Sequence, residues 1–200
     1  MAVKRDLDQG VTRVQLADNH FAAFVRYHKS FDVYRRLKVE KRDWPMTVFV
    51  FWSKGSGTGK TRTSMLLMSM LGQNQKDFFV VPHGKQSGLY WDGYDGQTSV
   101  LLDEFSGSFC TPTFLNGLLD RYPFSVPVHG SGNVEFTSKY VFITSNFDPA
   151  VWWKEEVKWS YPALLRRLSV VRVFDHPKAL PNLRLISGRL CAVSSQLEGL

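Results

Sequence analysis

A run of β-branched and aromatic residues, Met46–Trp52 (MTVFVFW), leads almost directly into Lys54-Gly55-Ser56-Gly57-Thr58-Gly59-Lys60-Thr61 and then into TRTSMLLMSML, Thr61–Leu71. Few folds accept that succession. The first run has the length and residue types of a buried strand. The last, free of Gly and Pro, reads as a helix that Gly72 would stop. A glycine-rich loop between them can turn its backbone N–H groups inward and borrow the partial positive charge of the helix start, which is what a phosphate cradle requires. Lys60 would reach the β and γ phosphates and the Thr61 hydroxyl would hold Mg²⁺. Gly55, Gly57 and Gly59 give the loop permissive positions, with Ser56 and Thr58 between them. Lys54 stands where the strict G-x-x-x-x-G-K-[ST] pattern has its first glycine, either narrowing the turn or adding a cation near the phosphates.

Further short apolar runs follow at Phe78–Val81, Thr98–Leu102 and Tyr140–Thr144, separated by helical or looping connections. That alternation implies an α/β architecture with a mainly parallel sheet covered on both faces, the arrangement of a P-loop NTPase. The second run ends in Asp103-Glu104. Phosphate hydrolysis needs an anion to hold Mg²⁺ and a group to orient the attacking water, and adjacent acids at a strand end can divide those tasks: Asp103 to the metal, Glu104 to the water. The third run ends in Ser145-Asn146-Phe147-Asp148-Pro149. There Asn146 is a candidate for contact with the γ-phosphate and the water, or simply an Asn in the turn ahead of Pro149. Downstream, Arg166 and Arg167 sit on an expected helix before the apolar run Val170–Phe174. Either could be a finger delivered into a neighbour's nucleotide site, or both could belong to a solvated helix face.

Composition limits the rest. With 200 residues the chain has room for one domain and an extension. At 44% apolar and 14% aromatic residues it can bury a core, which excludes a disordered chain. Two cysteines exclude a disulfide framework, and no apolar stretch is long enough for a signal or a membrane span. A soluble intracellular protein without membrane contact is expected. The net charge of +7 suits a polyanionic partner. Residues 1–45 carry ten Lys and Arg against six Asp and Glu, and Phe21, Phe24, Val25, Tyr27 and Phe31 recur near helical spacing. Three segments are expected: an N-terminal helical, oligomerising segment (1–45), a P-loop ATPase domain (46–176) and a C-terminal tail with the mobility common at chain ends (177–200).

With these elements in order, the chain resembles the superfamily 3 helicase domain of the replication-associated (Rep) proteins of circular single-stranded DNA viruses, circovirus-like ones in particular. The likeness extends to Lys41-Arg42-Asp43-Trp44, Tyr90-Trp91-Asp92-Gly93-Tyr94-Asp95-Gly96, Asp120-Arg121-Tyr122-Pro123, Thr144-Ser145-Asn146 and Leu165-Arg166-Arg167. It implies an AAA+-like fold and ATP with Mg²⁺ as cofactors. It also implies ATP-driven unwinding of DNA during rolling-circle replication by a homo-oligomeric ring, commonly a hexamer, in the host nucleus. A hairpin between the acidic pair and the Asn strand would grip single-stranded DNA. Here that region is Tyr122–Tyr140, with His129 and Gly130 at its centre and Lys139 near its end. Relatives often carry a lysine where His129 stands, so the phosphate grip is expected to be weaker and pH-sensitive.

The rolling-circle endonuclease motifs usual in the family do not appear in these 200 residues: the five histidines form no His-hydrophobe-His pair, and Tyr27 is followed three places later by Ser30. Nicking is therefore not expected of this chain, which reads as a fragment, a spliced or truncated product, or a relic. A degenerate or truncated DNA-binding oligomerisation module without unwinding activity is the alternative from a different functional class, and an NTPase acting on RNA is a third.

Overall fold

A capping box fixes the start of the second helix. In the computed structural model, which describes residues 2–71, 77–82, 89–130, 132–153, 161–174, 183–186 and 189–192, α1 spans Ala2–Asp8, α2 Arg13–Asn19 and α3 Phe21–Lys38. The Thr12 hydroxyl accepts the Gln15 N–H at 3.2 Å, and the Gln15 side chain accepts the Thr12 N–H at 3.0 Å. This reciprocal pair satisfies two otherwise orphaned donors at the start of α2. These helices form a compact unit ending at Lys41. Polar contacts dominate it: the His20 ring reaches Asp6 at 2.9 Å, Tyr34 donates to Asp8 at 2.6 Å, and Arg13 pairs with Asp32 at 3.1 Å. Leu7 and Leu16 are its buried apolar residues, and no residue of α3 is buried.

The second unit begins at Arg42. Its elements are β1 (Thr47–Trp52), α4 (Lys60–Leu71), β2 (Phe78–Val80), β3 (Ser99–Leu102), α5 (Pro112–Leu118), β4 (Ser125–Val128), β5 (Gly132–Glu135), β6 (Tyr140–Ser145), α6 (Tyr161–Leu165) and β7 (Val170–Val173). Five strands pair in the order β2-β3-β6-β1-β7, every pairing parallel. The expected α/β, mainly parallel sheet is what forms. Gly72, expected to stop α4, lies outside the described residues.

Strand alternation sorts the core into two layers. Phe49 and Phe51 of β1 pack with Leu67 and Met68 of α4 and with Leu101, Phe142 and Phe174; Phe49 stacks on Phe142 at 4.6 Å. Val48 and Val50 face the other way, into a cluster with Val100, Val141, Trp91, Leu115 and Phe136. Because all five strands run the same way, their carboxyl ends lie along one edge, where α/β sheets bind ligands.

The β4–β5 pair is an antiparallel hairpin. Beneath it lies Arg42, 1% exposed, whose guanidinium donates to the carbonyls of Gly117 and Leu118 at 2.7 Å each and of Tyr122 at 2.6 Å. Its carbon lies over the Phe136 ring at 5.2 Å. Burial pushes this cation down to about 10. The charge is thus spent on the carbonyl end of α5, where a helix favours a cation. Within residues 177–200, β8 (Leu183–Ile186) and β9 (Arg189–Ala192) pair antiparallel; the rest of that segment lies outside the described residues. Among the described residues, no helix is long and apolar enough to cross a membrane.

Candidate functional site

The loop between β1 and α4 closes around an amine. Lys60 Nζ donates to Ser53 Oγ at 2.7 Å, the Gly55 carbonyl at 2.9 Å, Asn146 Oδ1 at 3.1 Å and Thr58 Oγ1 at 3.3 Å. Lys60 is buried, which lowers its affinity for the proton, while Glu104 and Asp103 work in the opposite direction. Gly57 and Gly59 hold φ of 72° and 91°, left-handed values that need glycine. Lys54 does not: Glu104 is the one non-glycine residue with positive φ among the described residues. The turn therefore tolerates a side chain at the position where the strict motif has its first glycine, and Lys54 is exposed there.

Beside the loop, the Thr61 hydroxyl donates to Asp103 Oδ1 at 2.7 Å. Asp103 is half-buried just past the end of β3, and Glu104, exposed, follows at φ 49°. Thr144 on the neighbouring β6 meets both: its hydroxyl donates to Asp103 Oδ1 at 2.5 Å and accepts the Glu104 N–H at 2.8 Å. Ser145 then accepts from the Trp152 indole at 2.9 Å and donates to the Phe105 carbonyl at 2.8 Å. Asn146 follows directly and reaches Lys60. So Lys60, Thr61, Asp103 and Asn146 converge, with Glu104 close enough to act on the Lys60 charge.

This donor set fits a hard cation. Mg²⁺ is usually bound by one or two carboxylates and completes its shell with phosphate oxygens and water. The Asp103 carboxylate and the Thr61 hydroxyl are oxygen donors already held against each other. Among the described residues no cluster of three His, Cys, Asp or Glu exists, and a cation shared with phosphates needs none.

The arginines lie elsewhere. α6 ends at Leu165, so both fall in the turn after it rather than on the helix; the Arg167 N–H bonds back to Leu164, a tightened final turn. Arg167 Nε donates to Asp120 Oδ2 at 3.1 Å, a second guanidinium nitrogen closes on the same oxygen, and Nη1 donates to the Ala163 carbonyl at 2.6 Å. Arg166 is exposed.

At the hairpin tip, one Asp92 carboxylate takes the His129 backbone N–H at 2.9 Å and its Nδ1 at 2.6 Å, while Tyr90 stacks on the imidazole at 3.7 Å. The His129 contacts hold Asp92 below the usual carboxylate range. Gly130 continues the turn at φ 66°. Lys139 is not with them: it sits at the amino end of β6, its backbone bonded to Thr98 and Thr47.

Ser53, Thr144 and the Asp92–Tyr90 brace are what sequence reasoning misses. For the first two, the signal is a hydroxyl residue at the carboxyl end of a strand adjoining the loop. Tyr90 and Asp92 stand in the Tyr90–Gly96 motif quoted above, but their bracing role does not follow from it, since the partner lies 37 residues away.

The RNA helicase family model matches residues 50–147, which span the loop, the acids and Asn146. The replication-associated protein of canary circovirus is 36% identical over 169 residues, covering 83% of this chain and 52% of that protein. That of pigeon circovirus is 32% identical over 185 residues, covering 88% and 53%. A chain of the S. cerevisiae Hsp104–ADP complex aligns over 86% of this chain and 29% of its own at 18% identity and a TM-score of 0.42. The chain spans about half the length of the curated relatives it matches. The family model spans the loop, the acids and Asn146, and the likeness to these relatives runs over most of the chain: the chain carries the superfamily 3 helicase domain of the circovirus-like replication-associated proteins.

Proposed function

We propose that the chain is an ATP hydrolase acting with Mg²⁺, and that a ring of copies, commonly six, uses the turnover to unwind DNA during rolling-circle replication in the host nucleus. The observation that carries this reading is the convergence on Lys60 of the β1 loop and Asn146, with Thr61 joined to Asp103 alongside. Lys60 neutralises the β and γ phosphates, and the loop N–H groups from Gly55 to Thr61 cradle them. Thr61 and Asp103 would hold Mg²⁺, which when bound would supply charge neutralisation at the phosphates. Glu104 orients the water, and Asn146 meets the γ-phosphate once Lys60 turns to the nucleotide. Arg167 is committed to Asp120, whereas Arg166 is exposed, so Arg166 is the arginine offered to a neighbouring copy.

Single-stranded DNA would be met by His129 and Gly130 at the hairpin tip and by Lys139, mainly through backbone charge and stacking with little sequence preference. The test is ATP turnover with and without single-stranded DNA, and with RNA in its place. Lys60→Ala should abolish turnover; normal turnover by that variant sinks the site assignment. Greater stimulation by RNA would redirect the substrate. Wild-type protein that binds DNA without turning over ATP would favour the non-unwinding module, a reading that the engagement of His129 by Asp92 supports.

A further inference from the structure

In an extended strand, consecutive side chains point to opposite faces. Asp103 and Glu104 are consecutive, so a regular continuation of β3 would send one carboxylate toward the phosphate loop and the other away from it. The chain does not continue regularly past the end of β3 at Leu102. What breaks the alternation is the backbone at Glu104, whose φ of 49° is a left-handed value that costs a side-chain-bearing residue free energy and persists only where neighbours enforce it.

The enforcing group is on the next strand. Thr144 is fully buried, and its one hydroxyl accepts the Glu104 N–H at 2.8 Å while donating to Asp103 Oδ1 at 2.5 Å. Its carbonyl takes the Phe105 N–H at 2.7 Å, so three consecutive residues of the acidic turn are tied to this single position. Asp103 Oδ1 receives two hydroxyl protons, from Thr61 and Thr144, which fixes the rotation of the carboxylate.

We propose that Thr144 is a positioning residue for the hydrolytic site: its hydroxyl orients Asp103 and locks Glu104 in the left-handed turn that brings the second acid to the nucleotide. The inference rests on the nucleotide-hydrolysis reading above and adds to it a residue that touches neither phosphate nor water. Partners of this kind around a metal ligand typically change metal affinity or activity by about 10- to 100-fold when removed.

The experiment compares Thr144→Val, which removes the hydroxyl and keeps the shape, with Thr144→Ser, which keeps the hydroxyl. Thr144→Val should lower kcat about 10- to 100-fold and raise the Mg²⁺ concentration for half-activity by a comparable factor. Binding of a fluorescent ADP in EDTA, which reads the Lys60 loop without metal, should stay within about twofold, and Thr144→Ser should restore both kcat and Mg²⁺ dependence. A Thr144→Val protein with wild-type kcat and Mg²⁺ response overturns the proposal. So does a serine variant as impaired as the valine one, or loss of metal-free ADP binding in step with kcat. Hydrogen exchange at the Glu104 amide in the unliganded protein separates the proposal from the reading beneath it. Protection there should fall at least tenfold in Thr144→Val and persist in Thr144→Ser even if wild-type protein proves inactive toward ATP; unchanged protection in Thr144→Val overturns the role of Thr144 on its own. Should the valine protein not fold, Thr144→Ala carries the same expectations.

Discussion

Lys60 and Asn146, 86 residues apart in sequence, share a hydrogen bond in which the ammonium donates to the amide oxygen at 3.1 Å. The bond crosses from the first helical residue of α4 to the residue after β6, and it exists because β1 and β6 are parallel neighbours paired as far as Trp52 and Ser145. Asn146→Ala removes one of four acceptors on Lys60 and the amide proposed above to meet the γ-phosphate. We expect kcat for ATP to fall about 100-fold, as when a single preorganised polar group is lost, with nucleotide affinity changed far less. Steady-state ATPase assays beside equilibrium ADP binding check this; equal losses in both would mean the amide only holds the loop.

The two arginines after α6 should separate cleanly. Arg167→Ala breaks a half-buried pair with Asp120 and should lower unfolding free energy by about 1–2 kcal/mol in urea titrations. Arg166→Ala should leave stability within about 0.5 kcal/mol while lowering ATP turnover by about 10³-fold or more. Mixing an Arg166→Ala protein with a Lys60→Ala protein tests the cross-subunit role: recovery of turnover in mixed assemblies is the expected outcome, and none is expected if arginine and loop must lie in one copy.

Arg42 is a cation buried on three carbonyls rather than on an acid. Arg42→Met fills much of the volume but leaves those acceptors without their donor, and should cost about 2–4 kcal/mol of stability. Arg42→Lys should not restore it, since an ammonium cannot reproduce the planar fork. Chemical denaturation of the three proteins measures both differences.

Cys110 offers a pH test. Burial pushes its thiol up to about 12 from an ordinary 9.0. At pH 8 only about one thiol in 10⁴ would then be ionised, so alkylation of the folded protein should run about 10³-fold slower than after unfolding. The folded value exceeds the unfolded one, so the thiol's contribution to stability is complete below pH 9.0, declines as pH rises and is lost above about 12. Iodoacetamide labelling of a Cys191→Ser protein, native against denatured, decides it.

The segment from Thr47 to Leu71 is legible in the sequence because its signals are local: a β-branched run, glycines where φ is positive, and a helix start without a breaker. The acids of β3 and the Asn after β6 are legible for the same reason, as polar residues ending apolar runs. The roles of Thr144 and Asp92 are not, because each earns its place through a partner about 40 residues away that only the fold brings near, whereas the side-chain partners of Ser53 lie within the loop itself. Arg42 escapes for a related reason. In the sequence it stands only within the Lys41-Arg42-Asp43-Trp44 likeness, which gives it no role, and the fold reveals the carbonyl end of α5 waiting for it. Charge alone leaves Arg166 and Arg167 equivalent; Asp120 tells them apart.

The parallel register has one more consequence. Each residue of a strand advances the chain about 3.3 Å and reverses the face its side chain occupies. A deletion of a single residue inside β6 would therefore do more than shorten an element: it would exchange Thr144 for its neighbour and turn the hydroxyl to the wrong side of the sheet. The strands here act as rulers whose graduations cannot be respaced, so length variation among functional members of the family should fall in the connections and spare the strands themselves.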